Sequence, residues 1–162
     1  DIILRPSSRF KSKSVIKKNI IYLPLNLKKP EIILESLESL IENRLINLNY
    51  LKIKEHPAAL GLNYAKPLIE KIMKLKRDQK NLKNFKYKNV LIFVGSGGGV
   101  IEALEKNLSV IHIVENTQID LYNKEIWPNV INKQLFKNVY LYKLKKKGQM
   151  IKFGNNTTNY FN

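Results

Sequence analysis

Four glycines and a serine follow an apolar run near the middle of the chain, and this turn carries the clearest chemical pattern. The run Val90–Val94 reaches Gly95-Ser96-Gly97-Gly98-Gly99, after which the composition is that of a helix. Glycine lets the backbone turn sharply and leaves no Cβ between a ligand and the N–H groups. A strand that enters a helix through such a turn presents unpaired N–H donors and the positive end of the helix dipole. The pattern therefore predicts a phosphate site at residues 95–99, and a tight turn without a ligand is the alternative.

The elements that must position this turn follow from the apolar periodicity. Strands are predicted at 20–23, 50–54, 90–94, 109–114 and 139–142, and helices at 30–47, 67–79, 99–106 and 129–136. Alternating strands and helices are typical of an α/β fold with a parallel sheet covered on both faces. Ligands of such sheets bind at the carboxyl ends of the strands. His56 and Ser96 both follow strand ends, so we expect them to share one crevice.

Length and composition suggest one domain, or one half of a larger enzyme, in a chain of 162 residues. Residues 1–18 lack a clear period and are interpreted as a linker or crossover from a missing N-terminal part. Residues 19–150 are expected to form the domain, and 151–162 a loosely ordered tail. The chain has no cysteine, which excludes disulfides and thiolate metal sites and favours a reducing compartment.

The formal net charge of +16 raises the question of a polyanionic partner. Lys and Asn are abundant throughout, and no zinc finger or aromatic single-strand platform accompanies the basic runs. A solvated basic face is therefore expected rather than nucleic-acid binding, with a membrane surface or an anionic glycan as a weaker second partner. No apolar run approaches the ~20 residues needed to cross a bilayer. The expected location is the cytoplasm, with a peripheral association with the inner face of the membrane as the alternative.

Two established phosphate loops can be compared with the turn directly. A P-loop requires Gly-Lys-Ser/Thr, whereas Gly98 is followed by Gly99-Val100, so that class is excluded. A dinucleotide fingerprint fits Gly95-x-Gly97, with Val100 at the third small position and Glu115 at a suitable distance for a ribose. This fingerprint normally follows the first strand of its fold, and here two strand–helix units precede it. An NAD or FAD domain of an oxidoreductase therefore remains an alternative.

A third interpretation joins the turn to Lys54-Glu55-His56-Pro57. Together with Ser96-Gly97-Gly98, Glu102-Ala103-Leu104 and the strand Val110–Ile113, this pattern resembles the C-terminal, nucleotide-binding domain of GT-B-type sugar-nucleotide enzymes. Bacterial sialyltransferases, capsule-polymer transferases and UDP-N-acetylglucosamine 2-epimerases belong to that group. The Ser-Gly-Gly spacing is similar to the epimerases, and His-Pro to transferases that use cytidine nucleotides. The resemblance covers roughly residues 20–115, and Asn116-Thr117-Gln118 departs from the basic loop of an epimerase.

The resemblance implies a Rossmann-like half of a glycosyltransferase for surface or capsular polysaccharide. Ser96 and the N–H groups of Gly97, Gly98 and Gly99 would then hold a nucleotide phosphate. His56 would donate to a phosphate oxygen, and Glu102 would accept from ribose hydroxyls. The substrate would be a CMP-, CDP- or UDP-linked sugar, with no tightly bound cofactor, and the catalytic base would lie on the missing N-terminal domain.

Simpler roles remain open for three of the polar residues. His56 is alternatively a solvent-facing turn residue, and Glu102 a first-turn acid favoured by the helix dipole. His112 lies within an apolar strand and is predicted to be a hydrogen-bonded core histidine. No grouping of acidic residues argues for a metal.

Overall fold

Short apolar segments form the central strands at Ile20–Tyr22, Leu91–Val94 and Val110–Ile113, and amphipathic segments of 13 residues form the two longer helices. The computed structural model describes residues 18–79, 83–95, 99–115 and 127–145. The strands are β1 (Ile20–Tyr22), β2 (Lys52–Lys54), β3 (Leu91–Val94), β4 (Val110–Ile113), β5 (Val130–Phe136) and β6 (Val139–Leu144). The helices are α1 (Pro30–Glu42), α2 (Lys66–Asp78) and α3 (Gly99–Glu105), with short 3-10 turns at Leu48–Tyr50 and Pro57–Ala59.

The strands form one six-stranded mixed sheet in the order β2-β1-β3-β4-β6-β5. The first four run parallel, with Tyr22 paired both to Lys54 of β2 and to Phe93 of β3, and Phe93 paired to His112 of β4. Every residue of β3 and β4 is buried, as expected for strands covered on both faces. The predicted parallel arrangement of these four strands is confirmed.

The last two strands correct the sequence-based expectation. Residues 129–136 were predicted to be helical, but Val130–Phe136 is a strand that pairs antiparallel with β6. The strand β6 in turn pairs antiparallel with β4, so the sheet is mixed rather than wholly parallel. The hairpin turns through Lys137 and Asn138, and Asn138 has a φ of 67°. Asn tolerates this left-handed conformation better than most residues, which makes the tight connection accessible.

Helix α1 begins as predicted and ends about one turn earlier than its apolar period. Pro30 is at its start and Glu31 lies in its first turn. At the other end Arg44 has a φ of 52°, while the N–H groups of Arg44 and Leu45 donate to the carbonyls of Ile41 and Leu40. This is the Schellman pattern, which satisfies carbonyls of the last turn and stops the helix.

Two apolar clusters sandwich the sheet. On one face α1 and α2 pack against Ile21, Ile92 and Ile111, which alternate with the residues of the other face. On the other face α3 packs against Leu91, Phe93 and Val110 with Tyr142 of β6. Alternation with a period of two along each strand produces this division. The predicted helix layers on both faces of an α/β sheet are therefore confirmed.

Some predictions fall outside the described residues. These are the predicted linker, apart from Lys18, and the predicted tail at 151–162. Within the described part of the chain, no helix is long and apolar enough to cross a bilayer.

Candidate functional site

The parallel strands bring the two main sequence candidates to the same edge of the sheet. Lys54, Tyr22 and Phe93 form one row across β2, β1 and β3. His56 and Gly95 each follow this row by two residues, at the carboxyl ends of β2 and β3. Two strand spacings of about 4.8 Å separate those ends, so about 10 Å of the edge lies between them. The chain reverses its direction of strand addition between β1 and β3, which is the switch point where open α/β sheets bind ligands.

His56 is exposed and begins the 3-10 turn Pro57–Ala59. Its Nδ1 accepts a hydrogen bond from the Ala58 N–H at 3.1 Å. An accepting Nδ1 carries no proton, so the neutral ring holds its proton on Nε2. The local turn thus fixes the tautomer of His56 and provides an N–H donor at the edge of the sheet.

The glycine turn begins at a residue with a left-handed backbone that is fixed by its neighbours. Gly95 has a φ of 68°, and an added Cβ would lie 3.4 Å from Cγ of Pro24 in the loop after β1. Its N–H donates to the Ile113 carbonyl at 2.8 Å. Glycine is favoured here because it adopts the left-handed backbone without a steric cost. Ser96, Gly97 and Gly98, which the sequence assigns to phosphate binding, lie outside the described residues.

The buried His112 lies behind Gly95. It is 1% exposed, its Nε2 lies 2.6 Å from the Gly95 carbonyl oxygen, and its Nδ1 lies 3.3 Å from the Tyr142 hydroxyl. Because a carbonyl only accepts, Nε2 is the protonated nitrogen. Burial lowers the pKa of His112, although the hydrogen bond to Gly95 opposes that shift. The predicted core histidine with satisfied nitrogens is confirmed.

Gly99 opens α3 in a close contact with the sheet. An added Cβ would lie 2.5 Å from Cε1 of Phe93, so only glycine lets the helix start so near the ring. Phe93 in turn stacks on Tyr22, with ring centroids 4.7 Å apart and planes 8° from parallel. Packing therefore explains the residue type at Gly99 independently of any ligand.

Glu102 lies in the first turn of α3 and forms an ion pair with Lys106 at 3.0 Å. Its charge also reaches neighbouring groups. The pKa of Tyr22 is raised by burial and, secondly, by the Glu102 carboxylate, and the pKa of Glu105 is raised by the same two causes while Lys106 opposes the shift. The Glu102 carboxylate is therefore close enough to Tyr22 for its charge to oppose ionisation of the phenol.

Tyr22 and Lys54 were not among the sequence candidates. Tyr22 ends β1 at the switch point, and the Lys54 ammonium lies 5.7 Å from the centre of its ring. The register of β1 with β2 brings these residues together. Lys54 belongs to the Lys-x-His-Pro pattern, whereas nothing in the local sequence distinguishes Tyr22.

Glu115, which the dinucleotide alternative would use for a ribose, has a structural partner. Its Oε1 accepts hydrogen bonds from the backbone N–H groups of Lys28 and Lys29, both at 2.8 Å. These two residues precede α1, so the carboxylate also lies near the positive end of that helix. The observed role of Glu115 is to fasten the end of β4 to the start of α1.

A groove of about 380 Å³ lies on the β2 side of the edge. Its lining includes Pro57 and Leu60 together with Ile69 of α2, and neither Gly95 nor Gly99 contributes. The expected cavity shared by His56 and the glycine turn therefore stays a prediction. In the four described ranges, no group of three or more His, Cys, Asp or Glu residues is placed to hold a metal ion.

Comparison of the chain with known protein families, with curated proteins and with solved structures found no match.

Proposed function

We propose that this chain is the sugar-nucleotide-binding domain of a GT-B-type glycosyltransferase for surface polysaccharide, and that it binds the donor phosphate at Gly95–Gly99. The observation that carries the proposal is the placement of His56 and Gly95 on one edge, on either side of a switch point between β1 and β3. This is where a nucleotide binds in a doubly wound sheet.

The chemistry of each residue supports this use. The Nε2–H of His56 is a donor for a phosphate oxygen, since Nδ1 is already an acceptor for Ala58. Backbone N–H groups of a glycine turn suit the remaining phosphate oxygens. Glu102 pairs with Lys106 through Oε1, and a carboxylate has about four lone-pair sites, so ribose hydroxyls would add to that pair.

The proposal also assigns partners and limits activity. The acceptor site and the catalytic base would lie on an N-terminal domain, so the isolated chain would bind nucleotide without turnover. The proposed location is cytoplasmic, and association of the basic surface with lipid headgroups or an anionic glycan at the inner face of the membrane is the alternative.

Calorimetric titration with CMP, CDP, UDP, NAD and FAD tests the proposal. Gly98→Val and Ser96→Ala should weaken binding of the preferred cytidine or uridine nucleotide, by roughly two to four and one to two orders of magnitude respectively. Lys74→Ala changes an exposed lysine of α2 and is the matched surface control. Binding of NAD or FAD alone would support the oxidoreductase alternative, and no binding at millimolar concentration would refute a nucleotide site.

A further inference from the structure

His112 is a polar residue in a strand whose other members are apolar. Val110, Ile111 and Ile113 are each fully buried, and a fourth aliphatic residue would be the ordinary choice for such a strand. A buried imidazole is costly unless both of its nitrogens find partners. Here the partners lie on two different strands: Gly95 follows β3 and Tyr142 belongs to β6.

The direction of each hydrogen bond is determined. Gly95 offers only a carbonyl oxygen, so Nε2–H donates and Nδ1 is left to accept from the Tyr142 hydroxyl. Tyr142 is 1% exposed, and its ring is tilted against the imidazole with centroids 5.7 Å apart. The Gly95 carbonyl therefore selects the tautomer, and the Tyr142 hydroxyl donates to the Nδ1 that this tautomer leaves as an acceptor.

Gly95 is fixed from its other side as well. Its N–H donates to the Ile113 carbonyl, and Pro24 lies close enough that a Cβ added to Gly95 would be 3.4 Å from the Pro24 Cγ. With the N–H and the carbonyl both bonded to β4, the left-handed residue has one backbone orientation. The backbone conformation at the end of β3 is thus fixed by β4. The strand β6 contributes indirectly, because its Tyr142 bonds His112.

We propose that His112 and Tyr142 are positioning residues for Gly95, where the glycine turn begins: Nε2–H of His112 orients the Gly95 carbonyl, and the Tyr142 hydroxyl holds the ring by donating to its Nδ1. The proposal rests on the proposed function in so far as the turn binds a nucleotide phosphate. Its structural part concerns the ligand-free protein and is tested separately.

The ligand-free test uses NMR of the ¹⁵N-labelled chain. The His112 ring should show a protonated Nε2 and an unprotonated Nδ1, and the Gly95 amide should exchange slowly with solvent. In Tyr142→Phe the proton should stay on Nε2, because the Gly95 carbonyl still requires a donor, while the Nδ1 resonance should shift because it loses its hydrogen bond. In His112→Leu the Gly95 amide should exchange on the order of tenfold faster or more, since a net hydrogen bond corresponds to that factor. A protonated Nδ1, or an unchanged Gly95 exchange rate in His112→Leu, would overturn the proposal.

The ligand test titrates the nucleotide that binds wild type best. His112→Leu should raise Kd on the order of tenfold, and Tyr142→Phe by about threefold to tenfold. His112→Gln places an amide N–H₂ near the position of Nε2 and should restore part of the affinity. Tyr140→Phe removes a hydroxyl from the neighbouring stacked ring and should bind like wild type. A merely structural His112 would not be rescued by glutamine, so equal losses in His112→Leu and His112→Gln, with equal melting temperatures, would contradict the proposal.

The two proposals fail differently. If wild type binds no nucleotide while the tautomer and exchange results hold, the proposed function fails and the positioning of Gly95 stands. If nucleotide binds and neither His112 variant nor Tyr142→Phe changes Kd, the positioning role in binding fails while the nucleotide site stands.

Discussion

The ends of β2 and β3 lie on one edge but are built in opposite ways, and each uses one of the chain's two histidines. At the end of β2, His56 is exposed and is held by its own short turn through the Ala58 N–H. At the end of β3, Gly95 is held from beneath by the buried His112. In both rings Nδ1 accepts a hydrogen bond and the proton is on Nε2.

The two Nε2 protons differ in their accessibility, because His56 is exposed and His112 is buried. The Nε2–H of His56 faces solvent at the end of β2, where it is available to a ligand. The Nε2–H of His112 is buried and is committed to the backbone carbonyl of Gly95. Substitution of His56, after β2, is therefore expected to reduce nucleotide binding alone. Substitutions around the end of β3 should lower the stability of the protein.

The largest effect is expected where α3 begins against the Phe93 ring of β3. Gly99→Ala should destabilise the protein by about 1–3 kcal/mol, because its Cβ would overlap the Phe93 ring. Urea unfolding measures this change. The loss should shrink in the Phe93→Leu background, where the ring is absent, and an equal loss in both backgrounds would show that the contact with Phe93 is not the cause.

The second prediction concerns pH at the buried histidine. The pKa of His112 is lowered in the folded protein, so the unfolded chain binds the extra proton first as the pH falls below about 6.5. Stability should be complete above that pH and decline below it, by at most about 1.4 kcal/mol per pH unit, until the folded pKa is reached.

Unfolding of wild type and His112→Gln between pH 7.5 and pH 4.5 checks this slope. The raised pKa of Glu105 acts in the opposite direction, since its stabilising contribution is lost as the pH rises through the folded pKa. Because both proteins contain Glu105, the difference between their curves isolates His112. Parallel curves would mean that His112 does not titrate with folding.

The exposed histidine should behave differently. His56→Ala removes an acceptor for one exposed N–H and should change the unfolding free energy by less than about 1 kcal/mol. Nucleotide affinity should nevertheless fall on the order of tenfold, as expected for one charge-assisted hydrogen bond. A large loss of stability, or unchanged affinity, would remove the distinction between the two ends.

The smallest effect is expected at Glu102. Glu102→Gln should cost about 0.3–0.5 kcal/mol, the usual size of a helical pair such as Glu102–Lys106. The pKa of Tyr22 should fall but stay above its ordinary value, since burial is the larger cause of its shift. NMR titration of the labelled tyrosines measures this, and binding of inorganic phosphate should not change. An unchanged pKa of Tyr22 in Glu102→Gln would show that the Glu102 carboxylate does not interact with the Tyr22 hydroxyl.

Much of the parallel half could be predicted because β1, β3 and β4 are short apolar runs, β2 alternates charged and apolar residues, and each helix has its own period. The hairpin could not, since Ile131 and Leu135 stand four residues apart and mimic a helix. The overlooked signal is Lys137-Asn138, where a positive φ at Asn138 permits a two-residue turn. The end of α1 was also misjudged, because Arg44 takes the left-handed position where glycine or asparagine would be expected.

For the candidate site, the sequence predicted the individual residues but not the tertiary contacts that hold them. His56 and Gly95 each follow the end of a strand, and these positions can be predicted from the residues of the strand that precedes them. The contact of His112 with Gly95 depends on the register of β3 with β4, and that of Tyr142 on an antiparallel pairing that was not predicted. Register arises from packing of the whole sheet, so no short segment encodes it.

The hydrogen bonds of Glu115 to Lys28 and Lys29 join residues 87 and 86 positions apart. Contacts of such long range require a large loop to close and belong to the slow part of folding. During synthesis the segment before α1 emerges long before β4, and β1 must likewise wait for β3, its partner across the switch point. The fastening of α1 to the sheet is therefore a late event, because it cannot be completed before Glu115 has been synthesised.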